Sequence, residues 1–157
     1  LVHIVTGDKN SGKTTKIKNL YAAHGGDGFI SNKIIQNGIF YGYQLTRLSS
    51  GESIDFIYEN KYAPVHWEDT LKNIRFTFYR PAFDTAYHWM HAIIRNEDSP
   101  IYIDEVGKLE LNKQGFYEMI KDVVNSNKEI YIALRELYLV QFLEAFTITE
   151  YAIIKVS

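Results

Sequence analysis

The chain has no cysteine among its 157 residues. A disulfide framework, a thiolate zinc site and a cysteine nucleophile are excluded together. Its three prolines mark no Pro-rich linker, and neither repeat nor low-complexity stretch is present. The longest apolar runs are a few residues, far short of the roughly 20 that a membrane-spanning helix needs. No cationic segment followed by an apolar core reads as a secretory signal. Neither sign of charge dominates, since 17 Lys and Arg against 19 Asp and Glu leave −2. The overall basic footprint of a nucleic-acid binder is therefore missing. What is present is 46% hydrophobic residues on a chain of ordinary domain size, enough to bury roughly 68–70% of the unfolded surface. These features predict one soluble, cytoplasmic domain over residues 1–157, with no nucleic-acid or membrane partner; they leave its oligomeric state open.

Leu1 to Val5 is too short for a helix and β-branched enough for a strand. A glycine-framed loop, Gly7 to Gly12, follows, and then a helical pattern carrying Ile17, Leu20 and Tyr21 that Gly25-Gly26 ends. Asn37-Gly38, between Ile34-Ile35 and Ile39-Phe40-Tyr41, is a type I′ hairpin signal. With the turn at Ser49 to Glu52 and the run Ser53 to Tyr58, it predicts an antiparallel meander inserted at about 28–60. Glu59 to Lys72 reads as a loop, Ile74 to Tyr79 as a strand, and Pro81 opens a helix to about Arg95. Strand and helix then alternate: Ile101 to Ile103, the helical face Phe116, Met119, Ile120, Val123 and Val124, Ile130 to Leu134, Leu137 to Phe146, and Tyr151 to Val156. That alternation predicts βαβ crossovers and a mostly parallel sheet.

Gly7-Asp8-Lys9-Asn10-Ser11-Gly12-Lys13-Thr14 matches G-x-x-x-x-G-K-[ST] in full. It lies between the first strand and the first helix, where successive backbone N–H groups can cradle a phosphate at a positive helix end. Lys13 is placed for the β/γ oxygens, the Thr14 hydroxyl for Mg²⁺, and Thr15 for the α-phosphate. From Asp8 to Lys18, four lysines face one aspartate, a local +3 on a chain of net −2.

Ile101-Tyr102-Ile103-Asp104-Glu105 has the form of a Walker B segment. The apolar strand delivers Asp104 to the carboxyl edge of the sheet, where it can hold Mg²⁺. Glu105, directly after it, can orient and deprotonate a water for attack on a γ-phosphate. Asp104 to Gly107 also spells the D-x-x-G of GTP switches. However, none of the four Asn-Lys pairs (Asn32-Lys33, Asn60-Lys61, Asn112-Lys113, Asn127-Lys128) has the Asp that guanine reading requires.

Asp104-Glu105-Val106-Gly107-Lys108-Leu109-Glu110-Leu111 resembles the D-E-I-G-K-M-E-L signature of the cancer-related nucleoside-triphosphatase family. Gly28-Phe29, Gly38 and Gly42-Tyr43 follow that family's glycine spacing, and Arg75 to Tyr79 stands where it has R-V-G-x-Y. The resemblance implies a P-loop fold of the additional-strand class and Mg²⁺-dependent hydrolysis of NTPs to NDPs with loose base preference. Three departures stand out. Asp8, Lys9 and Asn10 replace Pro, Pro and Gly, and Asn is the mildest non-glycine choice if position 10 needs positive φ. Asn32-Lys33 replaces an acidic pair. The segment after Leu134 is shortened to Arg135-Glu136-Leu137.

Other constellations are weaker. Arg80, Arg135 and Lys108 are candidates for a cation that meets charge on a transferring phosphoryl group. Asp84, His88 and His91 share one helical face and have metal-ligand chemistry. Trp67, with Tyr62 and His66, could stack on a base or pack a lid. The combined expectation is a three-layer α/β P-loop NTPase acting on ATP or GTP, with Lys13, Asp104 and Glu105 catalytic, residues Gly7 to Thr15 binding the nucleotide, and Thr14 and Asp104 holding Mg²⁺. A nucleoside or nucleotide kinase and a nucleotide-dependent binding module are the alternatives.

Overall fold

A computed structural model describes residues 1–157. The first part of the chain forms β1 (Val2–Gly7), α1 (Lys13–His24), β2 (Asp27–Gln36), β3 (Ile39–Arg47) and β4 (Ser53–Glu59). Next come β5 (Thr70–Lys72), β6 (Phe76–Tyr79), α2 (Pro81–Arg95), β7 (Ile101–Val106), α3 (Lys108–Leu111) and α4 (Tyr117–Val124). The last elements are β8 (Ile130–Arg135), α5 (Leu139–Ala145) and β9 (Tyr151–Lys155).

All nine strands join one sheet in the order β5-β6-β4-β3-β2-β7-β8-β1-β9. The half from β2 to β9 pairs in parallel, and the half from β2 to β5 pairs antiparallel. Rather than mostly parallel, the sheet is evenly divided, because β6 and the short β5 extend the meander instead of standing apart from it. β2 belongs to both halves: residues 27–29 pair with β7, while its length from Phe29 onward pairs with β3. The β2–β3 hairpin turns at Asn37 and Gly38, both at positive φ (52° and 77°), as a type I′ turn requires.

Alternate residues of the parallel strands enter two apolar clusters, one on each face of the sheet. Val5, Tyr102, Tyr131 and Ala133 pack with Ile17 of α1. Ile4, Ile101, Ile103, Ile130 and Ile132 pack with Met90 and Ile93 of α2, Met119 and Ile120 of α4, and Phe142 of α5. Helices therefore cover both faces. β8 lies between β1 and β7, so one strand separates the glycine-framed loop from the acidic pair.

Some boundaries differ from the sequence expectation. β1 continues to Gly7, because parallel neighbours on both sides keep it extended. β6 begins at Phe76 instead of Ile74, since the Asn73 side-chain oxygen accepts the N–H groups of Arg75 and Phe76 and turns the chain there. The last helix starts at Leu139, after a 3₁₀ turn over Glu136–Tyr138.

Candidate active site

The loop from β1 to α1 wraps on itself. Asn10 has φ 60° and Gly12 φ 99°, so the one non-glycine residue at positive φ in the loop is an asparagine, which tolerates that region. Gly7 is closely approached: a Cβ there would collide with the Ser11 side chain and the Val156 carbonyl. No side chain caps the start of α1, and its first turn holds no acid. Its leading N–H groups are thus left for an anion. Lys13 is buried at 3% exposure, and its Nζ donates to the carbonyls of Gly7 (3.3 Å) and Asp8 (2.7 Å). From β2, Lys33 Nζ donates to Asn10 Oδ1 at 2.7 Å and ties the loop to the meander half of the sheet.

Asp104 sits near the end of β7 with 1% exposure. Its Oδ2 accepts from the Thr14 hydroxyl at 2.7 Å and from the Ser31 N–H at 3.1 Å. Its Oδ1 is buried with no partner. Burial, and then the neighbouring Glu105 carboxylate, push the Asp104 carboxyl up to about 7, against the opposing pull of Thr14, Ser31 and Lys13. A buried carboxylate oxygen without a partner, beside a threonine hydroxyl, makes a hard-oxygen donor set of the kind that Mg²⁺ accepts. The residues present fit that ion.

Glu105 lies at φ 66°, in a register shift between Ile103 and Val106 against β8. The bulge and the left-handed backbone re-aim its side chain, at a cost of order 1–3 kcal/mol. Desolvation raises the Glu105 pKa, while the charges of Lys13, Arg135, Lys9 and Lys33 oppose that rise. Glu110 follows in the same segment, where its Oε1 accepts from Gly107 N–H (2.8 Å) and its Oε2 from Phe116 N–H (3.0 Å). It is buried, which pushes its carboxyl up to about 7. Its two bonds clamp the turn after Glu105, a positioning role that the sequence reading did not single out.

One cavity of about 790 Å³ joins these elements. The loop residues Lys9 to Thr15 with Lys18 line one end, Glu105, Lys108 and Arg135 the middle, and aromatic residues of β3, β4 and β6 the other end. Of the three candidate cations, Arg135 stands at the end of β8 with a buried, unpartnered Nε. Lys108 lines the cavity from an exposed position. Arg80 does not line it: its Nε bonds the Thr70 carbonyl at 3.3 Å and lies 3.5 Å from Asp69.

Two weaker constellations are resolved, the metal reading against expectation and the aromatic one in favour of packing. Asp84, His88 and His91 do not come together as a metal-binding group, and His91 packs on Tyr87 (centroids 4.6 Å). Trp67 stacks on Tyr79 at 4.8 Å and meets Tyr58 edge-on at 5.2 Å, while Tyr62 packs on Tyr41. Trp67 and Tyr62 therefore pack the loop against the sheet, and neither lines the cavity.

The fold is similar to that of a human cancer-related nucleoside triphosphatase, at 21% identity and a TM-score of 0.68 over 98% of this chain and 87% of that one. It is similar also to THEP1 from the hyperthermophile Aquifex aeolicus, at 16% identity and a TM-score of 0.71 over 100% and 90% of the two chains. No curated protein matches the sequence. The sequence matches the profile of the NTPase family over residues 3–157. The chain belongs to the NTPase family, the P-loop nucleoside-triphosphatases that its Asp104 to Leu111 segment resembles.

Proposed function

We propose that the protein hydrolyses nucleoside triphosphates to diphosphates and phosphate in a Mg²⁺-dependent reaction with broad base tolerance. The observation that carries this reading is that Lys13, Thr14 and Glu105 line one cavity, with Thr14 bonded to the buried Asp104 whose Oδ1 is unpartnered. The backbone N–H groups from Lys9 to Thr15 hold the α- and β-phosphates, and Lys13 exchanges its carbonyl partners for β/γ oxygens. Thr14 and Asp104 would hold the metal, which supplies charge neutralisation between the β- and γ-phosphates when bound.

Glu105 orients a water in line with the γ-phosphorus and takes its proton. The side chain of Glu105 is exposed to the cavity, and the partial desolvation it meets there raises its pKa, which makes the carboxylate a stronger base near neutral pH. Arg135 meets the charge that develops on the transferring group. Base tolerance follows from where the cations gather: Lys9, Lys13, Lys18, Lys33 and Arg135 all line the cavity that takes the phosphates. The test is release of phosphate and NDP from ATP, GTP, CTP and UTP, with Mg²⁺ and with a chelator. Turnover of all four that stops with the chelator supports the reading; no turnover with Mg²⁺ contradicts it.

A further inference from the structure

The cavity extends well past the place where a triphosphate would end. Strands lie about 4.8 Å apart. Across the order β1-β8-β7-β2-β3-β4, Glu105 on β7 is therefore about 10 Å from the loop strand, and β4 lies about 14 Å further on. In the proposed mode the γ-phosphate stops at Glu105, and the base lies at the opposite end of the same molecule. That mode leaves the far end to another molecule.

That far end is a built surface. Lys33, Tyr43, Ile57 and Phe78 are paired in register across β2, β3, β4 and β6, so their side chains share one face of the sheet. All four line the cavity, joined by Phe83 of α2 and by Phe116. Phe116 is sealed in the core, whereas Tyr43, Ile57, Phe78 and Phe83 remain half-buried. Tyr43 sits at the junction, since Glu105 and Asp104 both act on its hydroxyl, whose pKa is raised chiefly by burial. Asn73 supplies an amide: its oxygen is engaged by the backbone of Arg75 and Phe76, which leaves its NH₂ group as a donor. Lys33 is drawn to Asn10 of the phosphate loop, and the residues of the ring-walled end itself, Tyr43, Ile57, Phe78, Phe83 and Asn73, carry no charge, which suits a neutral ligand.

We infer that the ring-walled end of the cavity binds a second, neutral molecule, a planar heteroaromatic alcohol of nucleoside size, whose hydroxyl replaces water beside Glu105. The inference rests on the proposed triphosphate site and adds an acceptor to it. The acceptor oxygen forms a bond to the γ-phosphorus while the bond from that phosphorus to the β–γ bridging oxygen breaks. The hydroxyl proton goes to Glu105, and the bridging electron pair leaves with the NDP. The products are NDP and a phosphate monoester of the acceptor.

The test offers Mg²⁺–ATP to the full chain with two probe sets, the common nucleosides and hydroxymethyl-substituted pyridines and pyrimidines. Phosphorylated acceptor is read by mass spectrometry, and probe binding by calorimetry. We expect one probe set to yield the phosphate monoester with matching NDP. Ile57→Glu, which places a charge against the rings, should cut transfer and probe binding about tenfold or more. The same variant should leave acceptor-free phosphate release within about twofold, since Ile57 lies three strands from the strand of Glu105, a spacing of about 14 Å between the strands. If Ile57→Glu fails to fold, Ile57→Asn serves the same comparison. Binding or transfer unchanged in a folded Ile57 variant overturns the inference, as does the absence of both binding and product for every probe. Hydrolysis without any acceptor effect overturns it alone, whereas transfer without hydrolysis would contradict the hydrolase reading instead.

Discussion

Thr14 and Asp104 stand 90 positions apart and are joined by a 2.7 Å hydrogen bond from the threonine hydroxyl to Oδ2, while Oδ1 of the same carboxylate is buried and unpartnered. In the proposed function that oxygen is the one offered to the metal ion. Asp104→Asn keeps an acceptor for Thr14 and Ser31 but removes the buried charge. We predict that Mg²⁺–NTP binds about 10-fold or more weakly to this variant, while its urea midpoint without metal is equal or higher. Isothermal titration and denaturation measure the two. A lower midpoint with unchanged Mg²⁺–NTP affinity would show Asp104 to be structural.

Arg135 and Arg80 separate on geometry. The first lines the cavity with an unpartnered Nε, and the second is paired outside it with Asp69 and the Thr70 carbonyl. Arg135→Ala should lower kcat about 100-fold with a smaller change in KM. Arg135→Lys should recover part of that loss, and Arg80→Ala should stay within about twofold. Equal effects at the two positions would remove Arg135 from the reaction.

Glu105 holds a left-handed backbone at φ 66°, a conformation that costs a side chain with a Cβ. Glycine carries no such penalty. Glu105→Gly should therefore stabilise the fold by about 1 kcal/mol while losing turnover. A urea midpoint below that of the wild type would mean that the segment is not strained there.

Glu110 gives a pH dependence of defined sign. Its carboxyl is raised from 4.5 to about 7 in the folded protein, so between those values the folded state holds a proton that the unfolded state has released. Stability must then fall as pH rises through that window. The urea midpoint should drop between about pH 4.5 and about pH 7, and Glu110→Gln should lessen that drop, to which Asp104 adds its own share. A slope identical in the two proteins would contradict the assignment.

The loop from Gly7 to Thr14 was legible because its eight residues are contiguous and each has a local task. Asn10 illustrates this: it is the mildest non-glycine choice for the positive φ that the loop adopts there. The helix from Pro81 to Arg95 was equally plain from its opening proline and its apolar stripe. β5 was not, because three residues beside a polar loop carry no period; it exists only through its pairing with β6. The choice of Arg135 over Arg80 was hidden as well. Both follow strands, and only the sheet order shows that β8 ends beside β7 while β6 ends four strands away from it. The left-handed turn at Glu105 left no mark in the sequence, since nothing in an Asp-Glu pair announces a bulge.

The most direct measurement is phosphate and NDP release from Mg²⁺–ATP and Mg²⁺–GTP by the wild type and by Glu105→Gln, with nucleotide binding measured on both. The account predicts that the variant binds NTP as the wild type does and loses turnover by about 100-fold or more. A Glu105→Gln protein that turns over at the wild-type rate would contradict it.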